Sequence, residues 1–590
     1  MNERWTTTLL RAAIGLIIVG VVIFVILTCI GFSPGKIAEM FSRPVTGGTA
    51  EIEEKTEPKP DEEPEPVEEK EEVKRPGFGT ANFVVLGVYL AGMLAIGFAA
   101  SRRIKNARSF FVADGRLNYV LVGLSLLGTY LSALTVMGLP GAAYGKHDWI
   151  FMVQLPFLII TAVVITRLVL PRYRKAGVIS VYEYLERRIH VSARVIASVS
   201  FVIFSIARMG LVLYLPALAF HTVTGVSLPL CIMVMGLFIT LYTVLGGIEA
   251  VVWTDAIQVV IFIAGAFLTL GYIFSEIGVD RFLEIGMAHN KFRIIVPGTN
   301  IMKITTLWLI LETIFQTIRI YGTQQDMAQR YMTTGSTVKA NRSVWISILA
   351  YIPLGFMFYF IGTALFVFYK VYPDAAAPGK ADPMYPHFIV NHLPAGVAGL
   401  LIAAIFAAAM SSIDSLMNSS STVCVEDFLK RFGKKERSET YYLPVARLLT
   451  VLWGVLAVGM GLLFIRIEYV QIVWGKVMGI STNGMLGLMA LAFLPVRIRK
   501  MPAIIGFASS YVCLVLMMFA GYVLLGLMVL AGADLVTLPV IGDGVAYLIT
   551  GTVKVNYLLW PVIGNLVCVV VALALNPFFS GGPAAAEEDS

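Results

Sequence analysis

Charge is scarce in this chain. Only 14% of its 590 residues are Asp, Glu, Lys or Arg, against 57% hydrophobic, and the mean hydropathy is +0.80. That composition excludes a soluble globular protein and describes a polytopic membrane protein. Cysteine and histidine are thin as well. The five cysteines (Cys29, Cys231, Cys424, Cys513, Cys568) all fall in apolar stretches, with no CxxC or Cys/His spacing. The pattern gives neither a zinc site nor a disulfide framework. The six histidines are scattered, mostly near span ends. No nucleophile–base constellation is present, so the chain is not expected to be an enzyme. A net charge of +7 does not point to nucleic acid, because basic residues belong on the cytoplasmic loops of membrane proteins.

What the chain does have is polar residues at membrane depth. The stretch from Gly396 to Asp427 is long and apolar enough to cross a bilayer, yet carries Ser411, Ser412, Asp414, Ser415, Asn418, Ser419, Ser420, Ser421 and Thr422 in one half. Such groups are costly in lipid and normally face the bundle interior or mark an ion or solute path. Ala408, Ser411, Ser412 and Ser415 recur at i, i+3, i+4 and i+7 and share one helical face. That face offers hard oxygen donors and no nitrogen or sulfur, which suits a hard cation. The alternative is close helix packing, with each hydroxyl bonded back to the preceding turn. Asp414 favours the ion, because packing alone does not require a carboxylate.

In chain order, residues 1–32 read as an uncleaved membrane anchor and 33–79 as an extracytoplasmic linker whose Glu/Pro/Lys-rich part (51–76) can bury almost nothing. About thirteen further spans follow, near 80–101, 119–145, 148–171, 192–222, 228–247, 249–275, 303–323, 343–369, 394–424, 443–466, 469–494, 502–531 and 557–576. With the amino terminus in the cytoplasm, the basic clusters around Arg102, Arg172, Arg330, Lys430 and Arg497 fall on the cytoplasmic side. Both termini are then cytoplasmic. Segments 119–145, with Gly128, Gly138, Pro140 and Gly141, and 303–323, with Glu312, Gln316 and Arg319, look interrupted. Interrupted spans in corresponding places of two halves point to a transporter built from inverted repeats, although a kink that merely packs reads the same way locally.

Four runs carry a family resemblance: 109–145, YTVLGGIEAVVWTDAIQ at 242–258, GTQQDMAQRYM at 322–332 and AAAMSSIDSLMNSSST at 407–422. In order and spacing, over roughly residues 80 to 500, the chain resembles the sodium:solute symporter family. The resemblance implies an all-α polytopic fold with a five-plus-five inverted-repeat core of the leucine-transporter type, about 13 family helices plus one extra N-terminal span. The expected organisation is a leading helix and cytoplasmic loop at 80–118, repeats at 119–275 and 303–494, and C-terminal helices and tail at 495–590. It also implies sodium-driven uptake by alternating access across the plasma (inner) membrane, with sodium and a small organic solute as ligands and the monomer as working unit.

By position, the family's sodium site would use the carbonyls of Gly128, Leu131 and Ala408 and the hydroxyls of Ser411 and Ser412. In members similar to sialic acid transporters, an aspartate matching Asp255 helps hold a second sodium, here with Ser411, Asp414 and Ser415; Asp414 stands where a hydroxyl is expected, so the site would be more acidic or take a proton. Asp255 could instead be the partner of a nearby basic side chain. Arg208, mid-span, must find a partner: an ion pair with Glu312 or Asp414, or a substrate carboxylate. RMGLVLYLPALA around it resembles the sialic acid branch, where Gln154, Ser132 and Thr135 match polar substrate contacts. Tyr130 departs from the small hydroxyl residue of that pattern and narrows the pocket. The expected solute is an anionic sugar such as a sialic acid; a neutral sugar, a monocarboxylate or an amino acid is the alternative in the class, and a transporter-like solute sensor the alternative outside it.

Overall fold

The computed structural model describes residues 78–145, 148–300, 304–374, 377–378, 381, 383–435, 437–465, 483–530 and 559–579. The expected anchor and acidic linker, and most of the span expected at 469–494, lie outside the described residues. Within them the protein is helical almost throughout, with eight helices long and apolar enough to span a membrane, or nine if one bent pair is counted as a single span.

The elements that build the centre are α1 (Thr80–Ser101), α2 (Tyr119–Tyr130), α3 (Ala133–Tyr144), α4 (Ile150–Ala176), α5 (Val191–Thr224) and α6 (Leu228–Ile277). They continue with α7 (Thr306–Thr323), α8 (Gln325–Met332), α9 (Thr337–Val371), α10 (Val397–Val423) and α11 (Glu439–Phe464). Burial sorts them. The most apolar window of the segment containing α10 is 89% buried, whereas that of α1 is 28% buried. The polar helix is therefore the axis of the bundle, with α5, α6, α1 and α11 packed around it. Helix α1 lines the outside, leaving Val84, Val88 and Phe98 exposed, as a lipid-facing surface requires.

Glycine sets two of the close approaches. A Cβ on Gly97 of α1 would lie 2.9 Å from Tyr242 Cβ of α6, so the two backbones meet only because that position is bare. Gly247 breaks α6 at φ +51° and ψ −152°, which L side chains rarely adopt. The long helix is thus two spans, in keeping with the expected 228–247 and 249–275.

The interruption expected in 119–145 is present. Helix α2 ends at Tyr130, Leu131 and Ser132 are extended (ψ 119° and 171°), and the halves bend by 54°. The second expected interruption is displaced. Helix α7 runs unbroken through Glu312, Gln316 and Arg319, and the chain turns only at Gln324, where ψ is 131°. The polar residues of that segment sit on a continuous helix and project from it.

Candidate functional site

The break between α2 and α3 frees backbone oxygen. In a continuous helix the Gly128 carbonyl would accept the Ser132 N–H. Here that N–H points to Thr135 Oγ1 at 3.4 Å, and Gly128 O accepts instead from Ser411 Oγ at 3.1 Å. The Thr135 N–H, which would close on Leu131, bonds Ser132 O at 2.8 Å. From the facing helix, Ala408 O accepts from Ser411 Oγ at 3.2 Å and from Ser412 Oγ at 3.4 Å. Gly128, Ala408, Ser411 and Ser412 thus converge, all buried, with Leu131 buried at the turn. Every donor in the cradle is a neutral oxygen. That fits a weakly held hard monovalent cation and offers nothing to a transition metal.

One turn along lies a charged cluster that the sequence only half showed. Asp255 Oδ2 accepts from Ser125 Oγ at 2.5 Å and from Arg330 Nη2 at 2.8 Å. The same guanidinium donates to Ser125 Oγ at 2.8 Å, Asp326 O at 2.7 Å and Ser415 Oγ at 2.5 Å. Asp414 has its own partners: its Oδ2 accepts from Tyr242 Oη at 2.6 Å and its Oδ1 from Ser415 Oγ at 3.2 Å. The basic partner left open for Asp255 is therefore Arg330. Arg330, which the sequence places with the basic residues of the cytoplasmic side, has a fully buried side chain. Its guanidinium bridges Asp255 and Ser415, the residues expected to share a second cation. Ser415 also donates to Ser411 O, which ties this cluster to the cradle one turn away. Asp255 Oδ1 is buried with no hydrogen-bond partner among the described residues.

Arg208 has neither of the expected ion-pair partners. Its Nη1 lies 3.8 Å from Asp326 Oδ2, and its guanidinium sits over the Phe204 ring at 5.7 Å. The separation from Asp326 is an ion-pair distance, too long for a hydrogen bond. Glu312 instead accepts from Gln154 Nε2 at 3.2 Å. These two residues line a cavity of about 150 Å³ with Tyr130, Gln316, Tyr351 and Tyr359. Of the expected substrate contacts, Gln154 and Tyr130 border that space. Ser132 and Thr135 close on each other at the start of α3, and Arg208 stands off the cavity wall.

A bundle with a broken span facing a buried polar helix is the architecture expected of a secondary transporter. Residues 110–508 match the description "Sodium:solute symporter family", and the chain belongs to that family. A sodium/sialic acid symporter of Proteus mirabilis (strain HI4320) is 32% identical over 449 residues, covering 74% of this chain and 89% of its own. The sodium-coupled monocarboxylate transporter 1 of Homo sapiens is 29% identical, with 73% of each chain covered. A sodium-coupled sialic acid symporter solved in a substrate-bound, outward-open state shares the fold at TM-score 0.73 and 29% identity, covering 85% of this chain and 99% of its own. The expected all-α, leucine-transporter-type architecture is borne out. The chain is a sodium-coupled carrier and not an enzyme.

Proposed function

We propose that this protein imports a small anionic solute, a sugar acid of the sialic acid class, by alternating access, with sodium held between Gly128, Leu131, Ala408, Ser411 and Ser412. The observation that carries the sodium site is the released Gly128 carbonyl meeting Ser411. Bound sodium ties the broken helix to α10, and a ligand shifts a conformational equilibrium only by its differential affinity for the two states. Separation of these helices on inward opening dismantles the cradle and lets the ion go. The anionic solute is supported by Arg208, which makes no hydrogen bond among the described residues and keeps its fork of donors for a carboxylate.

One sodium crosses per cycle in this reading, because Arg330 already supplies the positive charge between Asp255 and Ser415. The protein works as a monomer in the plasma (inner) membrane with both termini in the cytoplasm. Residues 119–275 and 303–494 form the two repeats. Proteoliposomes given an inward sodium gradient test the function. Labelled N-acetylneuraminate should accumulate with external sodium and fail to do so with potassium. Equal uptake from both salts would refute the reading.

A further inference from the structure

The cavity beside Tyr130 is polar at one end in a way that an anion receptor does not need. Glu312 projects from α7 into it. Its carboxylate forms no ion pair among the described residues and has a single side-chain donor, Gln154 Nε2 at 3.2 Å. An ionised carboxylate can accept about four hydrogen bonds, so most of its capacity is open to the cavity. One and two turns further along the same helix stand Gln316 and Arg319. Arg319 Nε donates to Gln316 Oε1 at 2.9 Å, while Arg319 Nη2 is buried without a hydrogen-bond partner among the described residues. Arg208 and Arg319 are electrostatic neighbours of one another, and Arg319 of Glu312. Tyr130 is likewise a neighbour of Arg208 and borders the cavity. Glu312 thus offers open acceptor capacity to the cavity, while the Arg208 and Arg319 guanidinium groups lie outside its lining.

We infer that Glu312 is a specificity-determining residue that accepts hydrogen bonds from a donor-bearing end of the solute, hydroxyl or ammonium, and so selects an acid carrying such donors over a simple monocarboxylate. The inference rests on the transport reading above. Binding a donor-free acid would bury the Glu312 carboxylate with its acceptors unmet, and a site built to hydrogen-bond its ligand strongly rejects an analogue that lacks the partner group. The cavity has room for one end of such a solute and not for the whole of it. At about 150 Å³ the cavity is smaller than the roughly 300–1,000 Å³ of common ligand pockets, so few waters could stay behind to satisfy the carboxylate.

The test uses the purified full-length protein and sodium-dependent thermal-shift titration with three probes: N-acetylneuraminate for hydroxyl donors, L-proline for an ammonium donor, and butyrate for neither. Wild type is expected to bind one of the first two at least about tenfold more tightly than butyrate. Glu312→Leu should erase that preference. Glu312→Gln, isosteric and so a safeguard against misfolding, should weaken an ammonium-bearing ligand at least about tenfold and a hydroxyl-bearing one about fivefold, since it keeps an acceptor but loses the charge. The two arms thereby tell the donor types apart. Unchanged selectivity in either variant, or a wild type that prefers butyrate, overturns the inference and leaves sodium coupling standing. A wild type that sodium enables to bind none of the three overturns both.

Discussion

Removing the guanidinium at the centre of the buried cluster is the sharpest perturbation the structure offers. Arg330→Met would keep most of the side-chain volume and delete hydrogen bonds to Ser125, Asp326 O, Asp255 and Ser415. Asp255 would then be a fully buried carboxylate whose Oδ1 has no hydrogen-bond partner among the described residues, with Asp414 nearby as a second. Breaking a buried ion pair from one side costs about 3–5 kcal/mol, because the remaining charge stays desolvated and unmatched. The assay is thermal unfolding of the detergent-solubilised full chain followed by tryptophan fluorescence. The expected result is a drop in midpoint of at least a few degrees for Arg330→Met. Arg330→Met combined with Asp255→Asn should recover much of it, because the double change removes the stranded charge; such recovery is the signature of coupling. Sodium should stabilise Arg330→Met more than wild type, since Asp255 and Ser415, released from the guanidinium, are both cation ligands. An Arg330→Met protein as stable as wild type, or one that Asp255→Asn fails to rescue, would refute the assignment of Arg330 as the internal countercharge.

One sodium carried with one monoanion moves no net charge, so an inside-negative potential imposed with valinomycin should leave accumulation of a monoanionic solute unchanged; faster uptake would mean more than one sodium per cycle. His190 caps α5, its Nδ1 accepting the Ser192 N–H at 3.0 Å; burial first and Lys500 second hold its pKa below the usual 6.5, against the pull of Glu186. The unfolded chain then takes up a proton before the folded one, so stability should be full above about pH 6.5 and decline below it. His190→Asn, which keeps a capping acceptor, should flatten that acid slope in thermal unfolding, and an identical slope in both proteins would contradict the reading. Gly247→Ala would force an L residue to φ +51° with its Cβ 2.7 Å from Phe110 O. The strain alone costs about 1–3 kcal/mol, and the yield of folded protein should fall sharply; a normal yield and midpoint would show that the break tolerates a side chain.

Local pattern made part of this legible in the sequence. The 3.6-residue period placed Ser411, Ser412 and Ser415 on one face of α10, and the Gly/Pro content of 119–145 signalled the broken span opposite them. Both signals lie within single elements, where period and turn chemistry act. The charge partners were not legible. Arg330 meets Asp255 across 75 residues and Ser415 across 85, and nothing local to it in the sequence marks it as buried. Arg208 meets Asp326, which lies in a quoted motif but carried no sign of that partner. The break after α7 fell at Gln324, past the polar residues that drew attention. A carboxylate in an apolar frame marks a place of interest without saying whether it breaks the helix or, as Glu312 does, projects from it.

The account stands on a cation joining the broken helix to α10, and a sodium titration of the purified protein measures that directly. Wild type should be stabilised by sodium, with a midpoint that rises with its concentration, and not by potassium at equal ionic strength. Replacing both Ser411 and Ser412 with alanine removes two ligands while leaving the helix a better former, so its sodium response should vanish although the fold persists. If the doubly substituted protein still gains as much from sodium as wild type, the ion binds elsewhere and the mechanism proposed here is wrong.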